Sequence, residues 1–150
     1  MFRSYLGISL LTAFFAAAIV ASGCGSGDDS EAALTKAQFI KQGDQICAKF
    51  QEEQLKGLRE YAKEHPNAGQ DDLVVFVGLP PINKAIEGLE SLNPPPADEA
   101  EVETMITAME DAVDKAEADP QAIVSGESNP FDKADRLAAE YGFKVCAEAP

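Results

Sequence analysis

Apolar residues return at three- and four-residue steps through most of the chain after Thr35, the spacing that puts them on one face of a helix. The first stripe, Phe39, Ile40, Gly43, Ile46, Cys47, Phe50, Leu58 and Tyr61, predicts one long amphipathic helix. Thr35 suits its N-cap and Gln38 a capping box. His65-Pro66-Asn67-Ala68-Gly69 ends it, because a proline disfavours helix in the residue before it and Asn and Gly suit a turn. A second stripe, Leu73, Val75, Phe76, Leu79, Ile82, Ile86, Leu89 and Leu92, follows a cap at Asp71 or Asp72. Pro80 and Pro81 fall inside it, and a proline there deletes a backbone donor and clashes with the preceding turn, so a kink or short break is expected. Val74 to Val77 also suits a short strand, but has no evident strand partner, so helix is expected.

Asn93-Pro94-Pro95-Pro96 is a stiff connection, after which Ala97 or Asp98 starts a third helix. Its inner stripe is Val102, Met105, Ile106, Met109, Val113 and Ala116, while Glu99, Glu103, Glu110, Asp114 and Glu117 fall largely on the opposite face. Asp119-Pro120 closes it, and Gln121 to Asn129 reads as a loop or irregular turn. The last helix opens at Pro130-Phe131, with proline at its first position, and turns Phe131, Ala134, Leu137, Ala138 and Tyr141 inward. Gly142 fits a left-handed C-terminal cap that returns Phe143, Val145 and Cys146 to the core. Strand signals are nearly absent. The expected fold is all-α, an antiparallel four-helix bundle with its second helix kinked or broken at Pro80-Pro81.

The chain before Thr35 follows a different pattern. Arg3 is the only charge before an apolar run from Leu6 to Ala21, followed by Ala21-Ser22-Gly23-Cys24. That run falls short of the roughly 20 residues a membrane-spanning helix takes, so a cleaved signal peptide is the better reading. The small residues before Cys24 resemble the lipobox of bacterial type II signal peptides, with Ala21 in place of the usual Leu. That resemblance implies a signal peptide of 1–23, cleaved before Cys24, and diacylation of Cys24, with palmitate-type chains holding the protein to a membrane. The segment 24–34 opens with Gly25-Ser26-Gly27-Asp28-Asp29-Ser30-Glu31 and reads as a flexible, lipidated tether. The helical domain is then 35–150.

Charge narrows the partners. The whole chain sets 12 Lys and Arg against 26 Asp and Glu, a formal net charge of −14, and loss of Arg3 with the signal makes the mature part more negative still. Such a surface repels phosphate backbones and anionic headgroups, which disfavours nucleic acid and any second, electrostatic membrane contact. What is left of the chain from Cys24 onward suffices for one domain with a core. With Cys24 lipidated, Cys47 and Cys146 form an even pair outside the cytoplasm, and a disulfide joining the first helix to the last is expected. The two lack the close C-x-x-C spacing of redox-active pairs.

Three stretches carry a wider likeness: Phe39 to Cys47, Leu89 to Pro95 with the acidic run after it, and Asn129-Pro130-Phe131 through Tyr141 to Cys146. In that order they resemble a group of uncharacterised lipoproteins common in Gram-positive bacteria of high genomic GC. The resemblance implies a helical secreted domain and brings no catalytic or binding residue with it. At Gly43 the group has a small, alanine-like residue; the difference is expected to matter little for packing and to loosen the helix by up to about 1 kcal/mol.

Chemistry is sparse. His65 is the only histidine and sits beside Pro66 at a helix end, with no metal-ligand spacing around it. Ser91, Ser125 and Ser128 have no nucleophile-elbow context, and no phosphate-cradling glycine loop follows a strand. No Asp-x-Asp-x-Asp-Gly run is present, so the acidic face of the third helix reads as solvated rather than as a calcium site. The expected function is a non-enzymatic interaction or accessory module of the cell envelope, without cofactor or metal, anchored by lipid on Cys24 and facing an envelope protein. The alternative is a carrier or sensor with a small-ligand cleft near Pro80, Pro81, Met105 and Met109. A pocket of several hundred cubic ångströms favours that alternative, and a close-packed interior disfavours it.

Overall fold

A computed structural model describes residues 32–126 and 128–148. The expected signal peptide, Cys24 and all but the last residues of the tether lie outside them. The described residues are all-helical, without strands: α1 (Lys36–Glu64), α2 (Gln70–Leu73), a π-helical stretch (Val74–Gly78), α3 (Leu79–Glu90), α4 (Glu99–Ala118), α5 (Pro120–Ser125) and α6 (Asp132–Tyr141). Four of these helices have seven or more residues. α3 packs between α1 and α4, and α6 packs on α4.

Local chemistry sets most boundaries. Thr35 caps α1, its hydroxyl accepting from Gln38 N–H while the Gln38 side chain accepts from Thr35 N–H at 3.0 Å. α1 stops at His65, before Pro66. α6 stops at Gly142, whose φ of 121° is a conformation that disfavours a side chain. Phe143 N–H then reaches back to Ala138 O at 3.0 Å, closing a Schellman-type turn.

The core is continuous: Phe39 from α1, Leu79, Ile86 and Leu89 from α3, and Val102, Met105, Met109 and Val113 from α4 meet Ala134, Ala138 and Tyr141 from α6. Phe39 is fully buried and meets the rings of Tyr141 and Phe143 edge-on, with centroids 5.8 and 5.9 Å away. Glu99, Glu103, Glu110, Asp114 and Glu117 of α4 are all exposed, as its amphipathic pattern predicts.

Five expectations need correction. The irregularity in the second helix lies upstream of the prolines, which occupy the second and third positions of α3. Pro80 and Pro81 cannot donate to the carbonyls four residues back, and the chain answers by winding wider there, with Leu79 N–H bonded to Val74 O. The wider turn rotates the upstream residues relative to α3, so Phe76 is 62 % exposed and Val77 takes the buried place. Within 121–129, expected as a loop, α5 runs to Ser125 and is ended by Gly126 at φ 69°. Pro130 precedes α6 in a turn closed by the Asn129 side chain accepting from Phe131 N–H at 3.0 Å, so α6 starts two residues later than its sequence suggests. Gly43 is required by packing, because a Cβ there would lie 2.5 Å from Phe143 Cε1 and 2.8 Å from Leu89 Cδ2.

Candidate functional site

The Cys47–Cys146 disulfide is present, bridging a sequence separation of 99 residues with its Cα atoms 5.3 Å apart. It fixes the segment after α6 against α1. A second tie, absent from the sequence reading, reinforces it. Asp44, one turn before Cys47, accepts the backbone N–H groups of Lys144, Val145 and Cys146 at 3.1, 2.8 and 3.2 Å. Three successive amides converging on one carboxylate form an anion nest. Asp44 sits beside the apolar stripe rather than on it, and only its place one turn from a cysteine hinted at a tail contact. We expect Asp44→Asn to cost about 1–2 kcal/mol, because the amide keeps one acceptor and turns a donor towards the same N–H groups. Chemical denaturation of the variant measures it.

Near the start of α1, Tyr141 donates its hydroxyl to Asp98 Oδ2 at 3.0 Å, and Lys36 Nζ stands 3.8 Å from the centre of the Tyr141 ring. Burial raises the tyrosine's pKa above its ordinary 10.0, and the Asp98 hydrogen bond with the Asp98 and Glu101 charges adds to the rise. Because the folded state holds the proton more tightly than the unfolded chain, this contribution is full below pH 10 and is lost as pH rises beyond it. The urea midpoint of the wild type is expected to fall more steeply above pH 10 than that of Tyr141→Phe. At neutral pH the substitution costs about 1 kcal/mol.

Farther along α1 the core thins. Gln51, Gln54, Leu55 and Leu58 form one helical stripe, and between it, the π-helical stretch, α5 and Phe131 lies a groove of about 630 Å³. Leu73, Val74, Leu79, Ile82 and Ile123 make its walls predominantly aliphatic. Gln54 is 7 % exposed and braces the widened turn, its Nε2 donating to Gly78 O at 3.0 Å. Gln51 Nε2 donates to Val145 O and Glu148 O at 3.3 and 3.1 Å, tying the tail to the same stripe. A smaller cavity of about 70 Å³ beside the disulfide shares Gln51, Gln54, Ile82, Phe131 and Glu148 with the groove.

The four residues nominated from sequence for a cleft are dispersed. Pro81 and Met109 meet at the small cavity, Pro80 and Pro81 line a separate hollow beside Phe76, and Met105 is buried in the core. None lines the 630 Å³ groove. Its signal in the sequence was the pair Gln51 and Gln54 at positions where an apolar stripe continues to Leu55 and Leu58.

Ser91 and Ser125 hydroxyls donate to Gly88 O and Ala122 O of their own helices, and the His65 ring lies 4.3 Å from that of Tyr61, centroid to centroid. Among the described residues no group of three or more His, Cys, Asp or Glu is placed to hold a metal ion, and no helix is long and apolar enough to cross a membrane. Compared with known proteins, the chain matches no family model, no curated protein and no solved structure.

Proposed function

We propose that this chain is an extracytoplasmic lipoprotein, held to the cell membrane by lipid on Cys24, whose helical domain is a non-enzymatic interaction or accessory module of the cell envelope. The observation that carries the reading is the Cys47–Cys146 bond. Disulfides persist in oxidising compartments, and this pairing leaves Cys24, the cysteine of the lipobox-like stretch, as the third and odd thiol. The acidic surface adds a preference against nucleic acid. On this reading the four longer helices form an antiparallel bundle, a topology supported by the packing of α3 between α1 and α4 and of α6 on α4. Replacing Cys24 with Ser is expected to move the protein from the membrane fraction into the unanchored exported fraction. Unchanged membrane retention of the variant would argue against the anchor.

A second reading, a carrier or sensor of a small molecule, is favoured by one specific observation. The groove beside Gln54 has a volume of about 630 Å³, within the roughly 300–1,000 Å³ range of ligand sites, and its walls are mostly apolar with a few polar groups.

A further inference from the structure

We propose that the groove takes a cationic amphiphile, an aliphatic chain carrying an ammonium head, with the chain along the Leu55–Leu58 wall and the head towards Glu148. The inference rests on the carrier reading and adds the chemical class of the ligand. Among the described residues Glu148 is the charged residue that lines the groove, and no Lys, Arg or His lines it. An anionic head would meet this carboxylate, in a chain of net charge −14, whereas an ammonium ion meets complementary charge. Gln54 supplies the second polar feature. Its Nε2 is engaged by Gly78 O. Its amide also carries an oxygen, an acceptor suited to N–H, and the residue lines both the groove and the small cavity. Leu55 is 54 % exposed, a large aliphatic surface that a bound chain would cover.

The test titrates the full disulfide-bonded chain with decylamine, decanoate and decanol below their aggregation concentrations, by calorimetry at low ionic strength. Decylamine is expected to bind at least about tenfold more tightly than decanoate, with decanol between them. Glu148→Gln should weaken decylamine up to about fivefold and leave decanol unchanged, the size of an exposed ion pair. Leu55→Arg, at an exposed position, should abolish binding while leaving the melting temperature close to that of the wild type, and Phe76→Arg, outside the groove, should not affect binding. Decanoate binding as tightly as decylamine would overturn the cationic preference and leave the carrier reading in place. No binding by any of the three, or binding indifferent to Leu55→Arg, would remove the groove as a ligand site altogether.

Discussion

Replacing Cys47 and Cys146 together with alanine is expected to lower stability by about 4–5 kcal/mol. The bond closes a loop of 99 residues, and in the chain-entropy account a closure of that length restricts the unfolded chain by this amount. A domain of this size has roughly 5–15 kcal/mol in all, so the loss is a large share of it. The melting temperature should fall by about 10–20 °C. Reduction of the wild-type protein should reproduce the fall, and a change below about 3 °C would mean that the tail is held without the bond. The Asp44 nest and the two Gln51 hydrogen bonds act on the same junction, so their effects should couple to the cysteine substitution rather than add to it.

Gly43→Leu is expected to cost about 3 kcal/mol or more despite a gain in helix propensity of up to about 1 kcal/mol. α1, Leu89 of α3 and Phe143 converge at this glycine, and even a methyl group would overlap the Phe143 ring edge and the Leu89 methyl. Both neighbours are buried in the core: Leu89 and Phe143 are each 1 % exposed. Gly43→Ala should show a smaller loss of the same origin, and combining it with Phe143→Leu should recover part of it. Urea unfolding of the two single variants and the double variant measures that recovery; strict additivity would mean that the Phe143 contact is not the cause.

Periodicity made the long helices legible. The stripe from Phe39 to Cys47 and the inner face of α4 are buried largely as their spacing requires, because repeated steps of three and four dominate over local irregularity. Thr35 and Gly142 were legible for a different reason, since a capping box and a positive φ are set by a few adjacent atoms. Failures cluster where a tertiary contact or an altered helical pitch decides. Phe76 was misplaced because an α-helical period cannot register the extra residue wound into Val74–Gly78. Gly43 was undervalued because helix propensity is a property of one chain segment, whereas its neighbours Leu89 and Phe143 come from elsewhere. Asp44 and the groove were missed for the same reason. A carboxylate nest needs the tail's three amides in place, and a cavity is defined by what four separate segments leave unfilled. Methionines suited to a cleft, Met105 and Met109, instead pack in or beside the core, the commoner fate of apolar residues on a helical stripe.

Within the proposed function, the disulfide and the Asp44 nest hold the tail against α1, and the groove adjoins them along the same helix. The three cysteines thus have two uses in the proposed function: lipid on Cys24, and a bond between the other two. This division is tested most directly by the intact mass of the protein from its native membrane, before and after reduction and alkylation. The expected result is a chain beginning at Cys24 with a diacylglycerol-sized mass increment, no thiol alkylated before reduction and two after it. A chain of full length without lipid, or two thiols free before reduction, would contradict it.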